Sequence, residues 1–322
     1  MFLITLQQVC LLFSYIFIGY FLRRKKLVGD QVGSVLSKLL TYVFMPAYNL
    51  SSLSTVSKDN LSTYLSLFIA GVVTISIVFV ISHFLCKLFS KDEAVRNMFK
   101  YMLMFSNVGY FGYPLVDGVF GSTYLTMFMI FCLPISILIN TYGYFLLTKP
   151  TKAELLSERD ANPNAKPKSL LSCIISPPLV ASVIGLILGL SPFDMPQVFY
   201  SFLAPAGNCM SACAMIVSGT ILAKLPLKQL FVSKKGFLLG LVRLIGFPIV
   251  GGGLLFLCGV QSELLVCVIV FLALPSGMNV VVFPESVGRD SLEGAKTCFI
   301  SYVLALLTVP LIFFTMKLLL GA

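Results

Sequence analysis

Long apolar runs, separated by short polar or basic stretches, set the pattern of the whole chain. Ten such segments can be traced, at 2–22, 32–56, 61–88, 97–119, 122–147, 170–190, 197–223, 236–260, 262–286 and 292–319. Runs of about 20 residues or more are long enough for a helix to cross a hydrocarbon core of roughly 30 Å. Membrane β-strands would instead give segments of about ten residues with alternating hydrophobicity. The pattern therefore predicts an all-α polytopic membrane protein with ten transmembrane helices.

Composition excludes a water-soluble globular protein. Of 322 residues, 58% are hydrophobic and only 11% are charged, whereas a soluble domain carries about 25% charged residues. The N-terminal run has no basic residue before it and no small-residue cleavage site. It therefore predicts a first membrane helix rather than a cleaved signal peptide.

The basic residues orient the predicted helices. With ten spans, 19 of the 23 Lys and Arg residues fall on one side and only Lys58 and Lys317 on the other, while Lys38 and Arg243 lie within spans. Basic loops face the cytoplasm, so both termini are predicted outside the cytoplasm, with the plasma membrane as the expected location. The net charge of +10 is thereby assigned to loops that face anionic lipid, and no nucleic-acid partner is expected.

A polar stretch at 148–169 divides the chain into a first five-helix repeat at 1–147 and a second at 170–322. This stretch is predicted to be a cytoplasmic linker. Because each half contains an odd number of spans, two similar halves must insert in opposite orientations. The prediction is a 5+5 inverted repeat.

Two features recur at matching places in the halves. The second segment contains Pro46, Ala47 and Asn49, and the seventh repeats this Pro-Ala-x-Asn pattern at 205–208. The fourth and ninth segments are both interrupted by Gly, Pro and Asn. Proline removes a backbone donor and glycine permits non-helical geometry, and paired interruptions at corresponding positions indicate the binding site of a transporter.

The candidate substrate-binding residues come from these two broken segments. Half-helix ends at membrane depth would present N–H groups and a positive dipole end to an anion, and asparagine can hydrogen-bond without the cost of a buried charge. The predicted set is Asn107, Gly109, Gly112, Pro114, Pro275, Ser276, Gly277 and Asn279.

Three further polar residues within spans have two possible roles each. Asn49 and Asn208 line the cavity or bond across a helix interface. Arg243 faces the cavity, where it would attract anions, or extends to the cytoplasmic surface. The nine cysteines are scattered in apolar runs and the single histidine has no clustered partner, so no metal, disulfide or cofactor is predicted.

The motifs SNVGYFGYPLVDGVFG (106–121), LALPSGMNVVVFPESVGRD (272–290) and VFMPAYNLSSL (43–53) resemble those of the auxin efflux carrier family, which includes plant PIN-type carriers and bacterial dicarboxylate permeases. The resemblance covers essentially the whole chain. It implies a fold shared with bile acid/sodium symporters, with a scaffold of spans 1, 2, 6 and 7 that forms a homodimer. Spans 3–5 and 8–10 would form a moving transport domain, and Asn107 would meet the substrate carboxylate.

The function expected from this resemblance is elevator-type secondary transport of organic anions, such as dicarboxylates or auxin-like acids. The alternative is a sodium- or proton-coupled symporter or antiporter on the same scaffold. A third class comprises receptors and intramembrane enzymes. An enzyme would need paired membrane aspartates, a HExxH helix or a Ser/His arrangement, and a receptor would leave the two matched interruptions without a role. The chain is therefore not expected to be an enzyme.

Overall fold

The computed structural model describes residues 1–29, 31–149, 176–192, 196–224, 226–260 and 262–320. Across these residues the regular secondary structure is helical, apart from one isolated antiparallel bridge between Ser106 and Ser276. The predicted linker at 148–169 and the predicted start of the sixth segment lie almost entirely outside the described residues.

Sixteen α-helices are described. They are α1 Phe2–Arg24, α2 Val32–Leu39, α3 Met45–Leu53, α4 Leu61–Phe89, α5 Glu93–Met104, α6 Tyr113–Phe120, α7 Ser122–Leu138, α8 Tyr144–Thr148, α9 Pro177–Leu190, α10 Gln197–Leu222, α11 Leu227–Leu230, α12 Lys234–Leu241, α13 Phe247–Leu257, α14 Ser262–Ala273, α15 Asn279–Ser286 and α16 Leu292–Leu320. A 3₁₀ turn, Lys58–Asn60, precedes α4.

Four π-helical turns interrupt or begin these helices. Leu40–Phe44 joins α2 to α3, Ile139–Gly143 joins α7 to α8, and Val242–Gly246 joins α12 to α13. The fourth, Val108–Gly112, leads into α6. Each π turn adds a residue to the helical repeat and so rotates the side chains that follow it.

Six helical runs among the described residues are long and apolar enough to cross a membrane: Phe2–Arg24, Lys58–Phe89, Ser122–Thr148, Gln197–Leu222, Lys234–Leu257 and Leu292–Leu319. The described part of the chain thus has the helical structure of a polytopic membrane protein, as predicted. Each of the other four predicted segments contains shorter or broken helices. Ten spans in a 5+5 inverted repeat remain a prediction.

Helix contacts fall into two groups, which meet where α1 packs against α16 and against α6. In one group, α10 packs against α1, α2 and α3, and α3 packs against α9. Gly19 and Gly219 allow α1 and α10 to touch, because a Cβ on Gly219 would lie 2.0 Å from the carbonyl oxygen of Ile16. In the other group, α4 packs against α5 and α7, and α16 against α12 and α14. The division into a scaffold and a moving domain stays a prediction.

Helix α5 is bounded by residues that suit its ends. Its N-cap is Asp92, whose Oδ1 accepts a hydrogen bond from the Val95 N–H at 2.9 Å, as N-cap residues typically do. The helix therefore begins at Glu93, four residues before the predicted segment. The segment's second part, α6, ends at Gly121, whose φ of 85° is disfavoured for residues with a side chain.

Candidate functional site

The two interrupted segments cross each other at their breaks. The Asn107 N–H donates to the Pro275 carbonyl oxygen at 2.8 Å, and the Gly277 N–H donates to the Phe105 carbonyl oxygen at 3.0 Å. The two segments run antiparallel where Ser106 and Ser276 form the isolated bridge. We call this element, residues 105–107 and 274–278, the crossover.

Mutual pairing explains how a helix can break inside an apolar chain. An unpaired backbone group in a membrane costs several kcal/mol, and each break leaves such groups at the end of its first half-helix. At the crossover, backbone groups of one break bond to those of the other. Side chains complete the pairing, since the Ser276 N–H donates to Ser301 Oγ at 3.2 Å.

Asn107 begins the second half of the first broken segment. Its Oδ1 accepts from the Tyr110 N–H at 3.2 Å, which caps the π turn Val108–Gly112. Its Nδ2 donates to the hydroxyl oxygen of Tyr302 on α16. The side chain is 6% exposed. Asn107 therefore fixes the crossover while one amide hydrogen remains available to a ligand.

A cavity of about 380 Å³ adjoins the crossover. The described residues that line it include no charged side chain and are rich in hydroxyl and amide groups. The polar lining residues are Ser37, Thr41, Tyr42, Asn49, Tyr101, Ser106, Asn107, Tyr110, Tyr113, Ser136, Asn140, Tyr144, Ser176, Ser182, Asn279 and Ser286. These neutral hydroxyl and amide groups can form hydrogen bonds with a small polar solute.

The cavity extends from the crossover towards the side that carries the basic loops. Ser176 directly precedes α9, and Ser286 ends α15 three residues before Arg289. Ser37 lies in the first half of the predicted second segment, which follows Lys25 and Lys26.

The structure divides the predicted substrate residues into two sets. Asn107, Gly109, Gly277 and Asn279 line the cavity. Gly112, Pro114, Pro275 and Ser276 do not line it but build the crossover or its flanking helix. Gly112 is needed for packing, because a Cβ there would come within 2.6 Å of Leu274 Cδ1.

The structure places Arg243 in neither of the two positions considered from the sequence. Its side chain neither lines the cavity nor reaches the surface, and it is fully buried. Nη2 donates to Ser106 Oγ and, at 3.2 Å, to the Phe271 carbonyl oxygen. The guanidinium carbon lies 5.4 and 5.2 Å from the ring centroids of Phe247 and Phe271. Arg243 therefore packs against the side of the crossover that faces away from the cavity.

The two Pro-Ala-x-Asn motifs place their asparagines differently. Asn49 is buried, lines the cavity and donates to the Pro178 carbonyl at 3.0 Å and to Ser182 Oγ at 2.9 Å. It thus combines the two roles considered for it. Asn208 is exposed on α10 and is not among the described residues that line the cavity.

Several site residues were missed by sequence reasoning. Ser106 and Tyr302, which bond to Arg243 and Asn107, were not singled out. Asn140 could have been identified from the sequence, because it belongs to the polar run NTYG within an apolar segment. The four π turns gave no signal, yet three contribute lining residues and the fourth carries Arg243. Such turns often occur at functional sites.

An ion pair lies at the basic-loop side of the site. Lys224, just after α10, pairs with Glu285 near the end of α15. Glu285 also accepts from Ser291 Oγ at 3.1 Å. This pair links the two groups of helices at their ends, where both side chains are partly exposed.

Two comparisons with known proteins match nearly the full chain. A family model described as "Membrane transport protein" matches residues 4–313. The chain is 24% identical over 315 residues to a protein of Methanocaldococcus jannaschii described as "Uncharacterized transporter MJ1031", a match that covers 96% of this chain and 98% of that protein.

Proposed function

Because the chain belongs to the membrane transport protein family, that of the auxin efflux carriers, we propose that it is a secondary carrier for organic anions. Small carboxylates, either dicarboxylates or auxin-like acids, are the proposed cargo. The observation that carries the proposal is the pairing of two broken helices at the inner end of a polar cavity. Such an arrangement is characteristic of transporter binding sites.

The polarity of the crossover favours an anion. Two helical segments, starting at Val108 and Asn279, begin at the crossover and direct the positive ends of their dipoles towards it. The amides of Asn107 and Asn279 supply further donors. A carboxylate would accept hydrogen bonds from these groups. Such bonds are stronger than hydrogen bonds between two neutral partners, because the acceptor is charged.

The cavity is lined by both groups of helices, which supports an elevator-type mechanism. Thr41 and Ser182 belong to helices of the proposed scaffold, whereas Asn107 and Asn279 belong to the proposed transport domain. Sliding of the second group against the first would carry the site across the membrane. In this proposal the scaffold also forms a homodimer in the plasma membrane, both termini are extracytoplasmic, and the described conformation opens to the cytoplasm.

Counterflow into proteoliposomes tests this function. The purified protein is reconstituted, loaded with an unlabelled acid, and offered labelled malate, malonate, citrate or indole-3-acetate. We expect saturable accumulation of at least one acid, which is absent from protein-free liposomes. Failure of all four, with correctly folded protein in the bilayer, would refute the proposed cargo class.

The same vesicles distinguish uniport from coupled transport. We expect accumulation to follow the membrane potential without a sodium gradient, because the lining residues that the structure describes include no acidic side chain. Uptake that strictly requires sodium or a proton gradient would instead establish the alternative, a coupled symporter or antiporter.

A further inference from the structure

Arg243 is a buried cation without a carboxylate partner among the described residues. Neither Lys224–Glu285 nor Lys296–Glu293 involves Arg243. Two of its three guanidinium nitrogens, Nε and Nη1, have no hydrogen-bond partner within the part of the chain that the structure describes. Arginine keeps its charge in proteins, and an isolated buried charge is among the costliest features a fold can contain.

Hydrogen bonding alone does not account for an arginine at this position. Its two acceptors, Ser106 Oγ and the Phe271 carbonyl oxygen, are neutral and could be bonded by an uncharged donor. Ser106 also donates to the Phe271 carbonyl at 2.5 Å, so these two groups already pair with each other. The rings of Phe247 and Phe271 partly stabilise a cation. The feature left to explain is the positive charge itself.

That charge is separated from the cavity by the side chain of Ser106. Ser106 accepts from Arg243, forms the crossover bridge with Ser276, and borders the cavity beside Asn107. None of the described residues that line the cavity is charged. An anion bound to Asn107 would therefore have Arg243 as a buried countercharge on the far side of Ser106, in a medium where charges interact more strongly than in water.

We propose that Arg243 is the resident countercharge of the substrate: it neutralises one negative charge of the bound anion through Ser106, without contacting the anion. This inference rests on the proposed function and makes it more specific. A loaded transport domain would carry one negative charge fewer than its cargo. The site would then need no co-bound cation to accept an anion.

Two measurements on proteoliposomes test the charge rather than the packing. The first is competition by the accepted acid and by its uncharged methyl ester, in the wild type and in Arg243→Met. If the anion is taken to lie about 7 Å from the guanidinium, at an effective dielectric constant of about 20, one countercharge corresponds to roughly 50-fold in affinity. We expect the preference for the acid over the ester to fall about 10- to 100-fold in Arg243→Met and to persist in Arg243→Lys.

The second measurement is homoexchange of the accepted acid at potentials set with valinomycin and potassium. Exchange involves only loaded transport domains, so its voltage dependence reports their net charge. Removing Arg243 adds one negative charge, which changes the ratio of inward to outward loaded states by up to about tenfold per 60 mV. We expect a steeper voltage dependence in Arg243→Met and the wild-type dependence in Arg243→Lys.

The outcomes separate this inference from the function on which it rests. No saturable uptake by the wild type would refute the carrier proposal. Uptake by a folded Arg243→Met variant with unchanged acid preference and voltage dependence would refute only the role of Arg243. If Arg243→Met does not fold, homoexchange by the wild type provides the test. Exchange of a monovalent anion should then be insensitive to the membrane potential. A voltage dependence that corresponds to one full negative charge would overturn the inference.

Discussion

Replacing Asn107 is the most direct test of the site, because its side chain performs two separable tasks. Oδ1 caps the π turn by accepting from the Tyr110 N–H at 3.2 Å, and Nδ2 bonds to Tyr302 while facing the cavity. Loss of a cap costs about 1 kcal/mol of stability. A hydrogen bond to a charged group contributes about 1.5–3 kcal/mol, so loss of the donor should weaken anion binding about 10- to 150-fold.

Two variants distinguish these tasks. Asn107→Ala removes both, whereas Asn107→Asp keeps an oxygen that can cap the helix but presents a negative charge to the cargo. We expect both variants to raise the half-saturating substrate concentration in counterflow. Asn107→Asp should have the larger effect on transport, because like charges repel in a buried site.

Asn140→Ala is the matched control. Asn140 lines the same cavity, but its Nδ2 donates to the Ser136 carbonyl of its own helix at 2.9 Å. We expect a change of less than about fivefold, which corresponds to roughly 1 kcal/mol. Wild-type affinity in folded Asn107→Ala and Asn107→Asp variants would refute the assignment of Asn107 to the substrate site.

Three further predictions concern packing, the ion pair and coupling. Gly219→Val should lower the melting temperature by several degrees, because a Cβ there overlaps the neighbouring helix backbone and overpacking costs about 1–3 kcal/mol. Gly253→Ala should leave the melting temperature unchanged, because the space around Gly253 is open. Equal melting temperatures of the two variants would contradict the close contact at Gly219. Glu285→Gln should change the transport rate less than about fivefold, because its partly exposed pair with Lys224 contributes at most about 1 kcal/mol; a far larger loss would indicate a role in ion coupling. Replacing sodium with N-methylglucamine should leave initial uptake unchanged, and abolished uptake would favour the symporter alternative.

Local chemistry made the crossover predictable from the sequence. Gly109, Gly112, Pro114 and Pro275 all favour departure from helical geometry, and their clustering marked both breaks. Placing Asn107 at one break required only its position among them. The sequence could not distinguish residues that face the cavity from those that support it, because this depends on how the two breaks pair.

The surroundings of Arg243 and Asn208 could not be predicted from the sequence for a different physical reason. Arg243 lies in the π turn Val242–Gly246, where an extra residue rotates the side chains relative to a regular helix. Asn208 lies in an unbroken helix, and its environment depends on which neighbour covers that face. The two Pro-Ala-x-Asn motifs match in sequence, yet the structure buries Asn49 and leaves Asn208 exposed.

The placement of charge behind the crossover, rather than within the cavity, fits what a carrier must do. A carrier has to release its cargo as well as bind it, so binding that is too strong would slow each transport cycle. Direct ion pairing inside a dry site can exceed several kcal/mol, whereas Ser106 keeps Arg243 from contacting the cavity. In the proposed mechanism, Asn107 supplies direct but neutral hydrogen bonding and Arg243 supplies charge at a distance. Moving the cation into the cavity should therefore tighten binding and slow exchange, the opposite of the weaker binding expected from its removal.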